Sequence, residues 1–399
     1  MRRAVLPLYA LLLLETMVWI AIVPLAPTFA ERLSLSPVET GALLASASFA
    51  TVVVAFPAGL LADRLGARAF TIGSAVVFTL STVGQGLAGD FWTLLVARAA
   101  FGIAFGVAWT AGLAWLADSA PPQPRARALG ATVAISGLGF TAGPAFAGLL
   151  ADRFDIGVPF IVIGAAGAVV TAALLLSDPG TSLERTQRPL LGTLRAARRD
   201  ELVLGGLALL MLLGFVSGGV NLLVPLHLRA NGVSAGAIGL VFSAASGLFT
   251  VVSAVVARLG ERAVSLKTGG VSALLLGLSI LLLVASGSTA AAVAFVLLRA
   301  PFWAVMDTIV YPLGAAGAHR ASLGRGAVMG LINLAWGVAA TVGPLAAGAL
   351  AQSAGERWGY GMLIASCAAT GTWMLSRSRT TSAANEPEQP AATIPRRVG

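Results

Sequence analysis

The chain contains few of the residues that build disulfides, metal sites or a soluble surface. Among its 399 residues there are one cysteine, Cys367, and two histidines, His227 and His319. These numbers exclude a disulfide framework, and they leave no cysteine and histidine cluster of the kind that binds zinc. Charged residues make up only 11% of the chain, which is too few for a soluble globular protein of this length.

Hydrophobic residues, by contrast, account for 57% of the sequence. Apolar runs of about 20 residues recur along nearly all of it, and each is long enough to cross a hydrocarbon core of about 30 Å as a helix. We therefore predict an all-α membrane protein with twelve transmembrane helices. The predicted spans are residues 5–29, 38–61, 69–88, 91–116, 128–150, 157–177, 202–226, 235–257, 266–285, 288–312, 327–350 and 358–375.

The basic residues indicate how the chain is oriented. A formal charge of +9 would suggest a nucleic-acid partner in a soluble protein, but in a membrane protein arginine and lysine mark the cytoplasmic loops. With a cytoplasmic N-terminus, twenty basic residues fall on the cytoplasmic side, and only Arg32, Arg153, Arg229 and Arg357 fall on the other. We expect a multi-pass protein of the cytoplasmic membrane with both termini in the cytoplasm and no nucleic-acid partner.

The chain divides into two similar halves. The polar segment 178–201 is predicted to be a cytoplasmic loop between two six-helix bundles, residues 1–177 and 202–375, and residues 376–399 are predicted to be a disordered cytoplasmic tail. The sequence around Gly143 and Pro144 matches that around Gly343 and Pro344 at an offset of 200. Because each copy has six spans and begins on the same side, the halves are predicted to be parallel repeats.

Four ionisable residues lie well inside the predicted spans, namely Glu15, Arg98, Arg299 and Asp307. A charge at the centre of a membrane helix costs about 3 kcal/mol on insertion scales, so each of them needs a partner, a proton or a function. Ionisable residues at this depth usually belong to a transport or proton pathway. The alternative is a structural ion pair, either of Glu15 with Arg98 or of Asp307 with Arg299.

Span ten places an acid between aromatic residues. Four of its residues follow one another at intervals of four, so they share one face of a helix. They are Arg299, Trp303, Asp307 and Tyr311. On span one, Glu15 and Trp19 repeat the arrangement. A carboxylate beside aromatic rings can bind an amine or another lipophilic cation, with each ring contributing about 0.5 to 2 kcal/mol.

Three motifs resemble those of the major facilitator superfamily. GLLADRLGAR, between spans two and three, is similar to its cytoplasmic loop signature, and ARAAFGIAFG is similar to its fourth-span motif, which carries a buried arginine. GFTAGPAFAG, in span five, resembles the signature of the proton-coupled antiporters of the superfamily. The loop motif comprises Gly59, Asp63, Arg64, Gly66 and Arg68, and the span-five motif comprises Gly139, Gly143, Pro144 and Gly148.

A closer resemblance, to the vesicular monoamine transporters and their bacterial multidrug relatives, lies in spans one, ten and eleven. It is carried by ETMVWIAIVPLAPTF and by Asp307, Pro312, Gly330, Asn333, Gly343 and Pro344. In the major facilitator superfamily spans one, four, seven and ten line a central cavity, so the resemblance implies that all four of the ionisable residues inside the spans belong to the transport path. The resemblance implies that Glu15 and Asp307 handle protons and the substrate amine. Asn221 and Asn333 stand where the vesicular proteins would carry further acids.

These features together predict a proton-coupled antiporter that exports small cationic or lipophilic compounds. Its partners would be a small-molecule substrate, protons and the lipid bilayer. It would work as a monomer, without a metal or another cofactor, driven by the proton gradient. One alternative is a proton symporter or a facilitator for a neutral or anionic metabolite, in which Arg98 or Arg299 binds the substrate. A more distant alternative is a membrane sensor that does not transport. We expect no enzymatic activity.

Overall fold

The computed structural model describes residues 4–119, 125–177, 200–321, 323 and 325–383. Long helices dominate these residues. In chain order they are α1 (Val5–Leu33), α2 (Pro37–Leu65), α3 (Ala67–Leu87), α4 (Phe91–Val107, continued by a π-helical turn at Ala108–Gly112 and by Leu113–Ser119), α5 (Arg125–Arg153), α6 (Val158–Leu175), α7 (Glu201–Ala230), α8 (Ala235–Leu259), α9 (Leu266–Ser286), α10 (Thr289–Arg320), α11 (Arg325–Ala354) and α12 (Glu356–Ala383).

Local sequence explains where several helices begin. At the start of α2, Ser36 and Glu39 form a reciprocal capping box, with Pro37 in the first turn, where proline suits a helix. Asp200 accepts hydrogen bonds from the first N–H groups of α7 and also pairs with Arg320 at 2.8 Å, so it ties α7 to the end of α10. Gly66, with φ of +96°, makes the abrupt turn between α2 and α3 that an L-residue would resist.

Eleven of the described helices are long and apolar enough to span a membrane. The twelfth, α12, is 28 residues long, but glycine, serine and threonine lower its apolar character. Its Leu363, Cys367 and Met374 are buried, and the helix packs against α9. The predicted twelve-helix membrane architecture is therefore confirmed, with α12 held by packing more than by hydropathy.

The helices form two bundles, α1–α6 and α7–α12. Within the first bundle α1 packs on α5, α2 on α4, and α3 on α6. Within the second, α7 packs on α11, α8 on α10, and α9 on α12. The two bundles meet chiefly through α2 against α11 and through α5 against α8. This pairing is the one expected for two parallel copies of a single unit.

One end of the molecule is closed. We define the closed end as the side that carries the α1–α2, α5–α6, α7–α8 and α11–α12 connections. There, glycines allow the main chains of the two bundles to touch. A methyl group at Gly148 would overlap the main chain of Ala235, and one at Gly239 would overlap the carbonyl of Pro144. The α2–α11 interface repeats the arrangement, since a methyl group at Gly41 would overlap the carbonyl of Pro344.

The opposite end, which carries the start of α1 and the α2–α3 turn, is open. On the same interface helices, a methyl group at Gly130 of α5, Gly247 of α8 or Gly330 of α11 would meet nothing within 4 Å. Val251 and Val255, in the second half of α8, are 62% and 51% exposed. The described helices are therefore in a conformation that is closed at one end and accessible from the other.

Two predicted boundaries need correction. Helix α12 continues to Ala383, so residues 376–383 are helical and do not belong to a disordered tail. No proline or glycine occurs between Ser376 and Ala383, and Arg377 pairs with Glu201 at 3.4 Å. Asp200 and Glu201 belong to the start of α7 rather than to the predicted loop. Residues 178–199 of that loop and residues 384–399 of the tail lie outside the described part of the chain.

Candidate functional site

Glu15 is fully buried in α1, at 0% exposure. Neither carboxylate oxygen has a hydrogen-bond partner among the described residues. Residues four apart share a helix face, so Glu15 lies one turn from Trp19. It also lies about 15 Å along α1 from the helix end at the open side. The structure therefore contains a carboxyl group at mid-depth that nothing else in the described chain satisfies.

The glycines of the predicted antiporter motif hold α1 in place. A methyl group at Gly139 would overlap the Thr16 hydroxyl, and one at Gly143 would lie 2.9 Å from the carbonyl oxygen of Met17. These contacts are on the face of α1 away from Glu15 and Trp19. In the second half, Gly343 packs in the same way on Phe215 of α7. The motif thus supplies close packing within each half and, through Pro144 and Gly148, closure between the halves.

Arg98 is 2% exposed and binds the main chain of α1. Its guanidinium donates to the carbonyl oxygens of Val18 at 3.1 Å and of Trp19 at 2.9 Å. A third, longer contact of 3.5 Å reaches Oε1 of Gln85 on α3, and the guanidinium lies over the Phe101 ring at 5.0 Å. Arg98 therefore fixes α1 against α4 through its terminal nitrogens, while its Nε is buried without a hydrogen-bond partner among the described residues.

An aromatic contact joins the two halves at the centre. The rings of Trp19 and Trp336 are 5.9 Å apart, and Trp19 also contacts Phe105 of α4 at 4.6 Å. A small cavity of about 40 Å³ adjoins this contact and is lined by both tryptophans, Arg98 and Asn221. Glu15 lies on the open-end side of the Trp19 contact, because α1 begins at the open end.

The row predicted on α10 also lies at the interface between the halves. It begins at Arg299, whose guanidinium is 5.5 Å from the Phe242 ring of α8 and 5.6 Å from the Trp303 ring. It ends at Tyr311, whose hydroxyl donates to Asn333 of α11 at 2.8 Å. Because α8 and α11 are the helices that pack on the first half, this side of α10 faces that half.

Asp307, within this row, has no hydrogen bond or ion pair with any described residue, and its side chain is partly buried. The second asparagine of the predicted site, Asn221, donates to Ser217 at 3.2 Å. Neither ion pair of the structural alternative is formed. Arg98 is taken up by main-chain carbonyls of α1, and the Arg299 guanidinium lies against rings rather than against the carboxylate of Asp307.

Sequence reasoning missed two residues of this region. Trp336 lies one turn after Asn333 and closes the central contact. Gln85 is fully buried on α3 and receives Arg98. An isolated amide or indole in an apolar span is a weak signal, because its function depends on which helix it meets.

Only part of the predicted loop motif can be described. Arg68 donates to the carbonyl oxygen of Leu175 at 2.9 Å and lies 6.0 Å from the Trp115 ring, so it binds within its own half. Gly66 makes the turn noted above. The side chains of Asp63 and Arg64, and the surroundings of Gly59, lie outside the described residues, so the predicted charge pairs stay predictions.

Polar contacts cross between the halves at the closed end, where the sequence indicated only topology. Arg229 of α7 forms a two-pronged salt bridge with Glu31 of α1, at 2.8 Å from each carboxylate oxygen. Asp152 of α5 accepts from the Ser234 hydroxyl at 2.6 Å and from the Gly236 N–H at 2.9 Å. We call these two contacts the closed-end clasp.

A third pair at this end lies within one half. Arg32 binds Asp155 at 3.1 Å. The N–H of Gly157 and, to a smaller extent, Arg32 hold the pKa of Asp155 below its usual range. This pair does not bridge the two bundles, so it offers a matched control for the clasp.

Comparisons with known proteins identify the family and the fold of the chain. The family model described as Major Facilitator Superfamily matches residues 8–327. The chain is 26% identical over 163 residues to the quinolone resistance protein NorA of Staphylococcus aureus, a match that spans 40% of the chain and 42% of NorA. It is 37% identical over 142 residues to the vesicular acetylcholine transporter of Rattus norvegicus, spanning 35% of the chain and 26% of that protein.

Among solved structures, the crystal structure of a bacterial homologue of the human lysosomal transporter Spinster is similar over 97% of this chain and 98% of that one. It is inward-facing and unoccupied. The TM-score is 0.76 and the identity is 18%. The likeness shows the fold that the described helices adopt.

Proposed function

The chain belongs to the Major Facilitator Superfamily and is a membrane transporter without enzymatic activity, and from this we propose that it exports small cationic or lipophilic compounds in exchange for protons. The observation that carries the proposal is the pair of unpartnered acids, Glu15 on α1 and Asp307 on α10. An acid without a partner at membrane depth calls for a proton or a cation. Because one acid lies in each half, one of them can bind a proton and the other a cation.

One relative supports a cationic cargo, because the vesicular acetylcholine transporter carries, by its name, a quaternary ammonium compound. The other, the quinolone resistance protein NorA, supports drug resistance without indicating a cation. Both matches cover less than half of either protein, so they favour a substrate class without naming the substrate. The aromatic residues Trp19 and Trp303, which flank the two acids in sequence, fit such a cation.

Charge asymmetry supports an orientation for the structure. Twenty basic residues on the side of the chain termini would place the open end in the cytoplasm. The described conformation would then be the one that accepts cargo from the cell. We place the protein in the cytoplasmic membrane, acting as a monomer and powered by the proton gradient alone.

The proposed exchange follows from competition for the acids. In surroundings of low dielectric a carboxyl group favours its neutral form, whereas a bound cation favours the carboxylate. Glu15, buried beyond the reach of a large cargo, would carry the proton, and Asp307 would meet the cation. Proton release through the open end would prepare the site for cargo, and a proton from the closed side would expel the cargo after the halves rock.

A growth screen tests the substrate class. The chain is expressed in a bacterial host that lacks its own efflux pumps, and the cells are challenged with cationic, neutral and anionic toxic compounds. We expect resistance to cations. Because Arg299 has no hydrogen-bond partner among the described residues, proton symport of an anionic metabolite is the second candidate. Transport of anions alone would favour it and remove the cation proposal.

The closed-end clasp gives a prediction about the conformational equilibrium. Replacing Arg229 by glutamine should favour opening of the closed end by up to about fivefold, because a partly exposed salt bridge contributes about 0.2 to 1 kcal/mol. The measurement is labelling of Ser217→Cys, in the small cavity, by an impermeant maleimide added outside the cells. Replacing Cys367 by serine removes the only native thiol.

The matched control for this prediction is Arg32→Gln, which breaks a pair of similar exposure within one half. Its labelling rate should equal that of the parent. Exchange of the two charges, Glu31→Arg with Arg229→Glu, should restore slow labelling. Equal rates for Arg229→Gln and Arg32→Gln would show that the clasp does not hold the closed end.

A further inference from the structure

The repeat gives the chain two equivalent arginines in different situations. Arg98 on α4 and Arg299 on α10 correspond at an offset of 201. Arg98 is held by two main-chain carbonyls of α1. Arg299 donates no hydrogen bond to a described residue, and its Nε, like that of Arg98, is buried without a partner. A guanidinium in a membrane interior needs hydrogen-bond acceptors, and the described residues of the second half do not provide them.

Rings surround Arg299 without satisfying it. Phe242 and Trp303 lie 5.5 Å and 5.6 Å from its central carbon. Aromatic faces attract the positive charge, but they are poor substitutes for the oxygen acceptors that a planar guanidinium binds in pairs. The group that best matches the paired N–H donors of a guanidinium is a carboxylate or another planar oxyanion.

Asp307 follows Arg299 by eight residues on the same face. The two positions are therefore about 12 Å apart along the helix axis, with Trp303 midway between them. The face looks toward the first half of the protein, as the contacts with α8 and α11 show. Among the described residues, an unpaired cation and an unpaired anion thus lie on one side of α10, at a separation too long for a direct ion pair.

We propose that the cargo is zwitterionic, with an anionic group bound by Arg299, a cationic amine bound by Asp307, and an aromatic portion against Trp303. This inference rests on the proposed export function and specifies its cargo. A bipolar cargo neutralises both residues at once, whereas a simple cation leaves Arg299 without an acceptor.

The test compares three compounds that share one ring. They are 3-[4-(aminomethyl)phenyl]propanoic acid, which is zwitterionic, its methyl ester, which is a cation, and its N-acetyl derivative, which is an anion. Each competes with ethidium transport by the full chain in liposomes with an imposed pH gradient. We expect the zwitterion to compete about tenfold better than the ester, since one charge-assisted contact changes affinity by about this factor.

Variants assign the preference to a residue. Arg299→Gln should reduce the ratio of zwitterion to ester to about one, and Arg299→Lys, which keeps the charge, should retain part of it. Lys267→Gln removes an exposed cation at the start of α9 and should leave the ratio at the parental value. Arg98→Gln should weaken both compounds together, because Arg98 positions α1.

Failure of this inference is distinguishable from failure of the proposed function. If ethidium is transported but the parent binds zwitterion and ester equally, the zwitterion proposal is overturned and cation export stands. If ethidium is not transported and the growth screen shows transport of anions alone, both are overturned. The test does not depend on the folding of an Arg299 variant, because equal competition by zwitterion and ester in the parent protein already overturns the proposal.

Discussion

Replacing Glu15 by glutamine is expected to lower proton-driven transport by at least about a hundredfold, the equivalent of about 2.7 kcal/mol. Glutamine has nearly the size of glutamate but cannot gain or lose a proton, and the site has no neighbouring group to take over the exchange, because the Glu15 oxygens have no partner among the described residues. The measurement is cation transport by purified protein in liposomes with an imposed pH gradient.

The matched variant Asp307→Asn separates proton coupling from cargo binding. Asp307 is only partly buried and lies on the face of α10 directed at the other half, so its loss should weaken cation binding as well as coupling. Exchange of labelled for unlabelled cation at equal pH should persist in Glu15→Gln and fall in Asp307→Asn. If both variants keep proton-coupled efflux, the two acids have been wrongly assigned.

Replacing Gly239 by leucine is expected to prevent closure of the closed end and to abolish transport. A side chain at this position would overlap the carbonyl of Pro144 on α5, which belongs to the main chain and cannot move aside. Overpacking of this kind costs about 1 to 3 kcal/mol. Such a cost would change the ratio of the two conformations by about 5- to 150-fold.

The reporter for this variant is again Ser217→Cys in the chain without Cys367. The external maleimide should label it at least about fivefold faster in Gly239→Leu, the change that corresponds to the lower cost of about 1 kcal/mol. The control is Gly361→Leu on α12, where a side chain meets nothing within 4 Å. Normal transport and slow labelling in Gly239→Leu would refute the role of this contact in closure.

Much of this protein was predictable from local composition. Apolar length predicts the spans, and Glu15 and Asp307 are conspicuous because an acid is costly within such a run. The helix ends were predictable less well. Residues 376–383 are polar enough to suggest disorder, yet Arg377 finds Glu201 at the start of α7. Polarity alone does not distinguish a solvated helix from a disordered tail.

Other features depend on residues far apart in the chain. The clasp between Glu31 and Arg229 joins positions separated by 198 residues. The sequence marks both as loop charges, and only the approach of α1 to α7 makes them partners. The same holds for the contact between Trp19 and Trp336, which requires the packing of two halves that no local pattern specifies.

The two arginines show this division most clearly. By itself the sequence determined that the protein spans the membrane twelve times, that its halves are repeats, and that Arg98 and Arg299 occupy equivalent places in them. Only the tertiary structure decided that the carbonyls of Val18 and Trp19 bind the guanidinium of Arg98 while Arg299 meets no acceptor among the described residues. The physical reason is that a hydrogen bond depends on the distance and direction between groups on different helices, and these follow from packing.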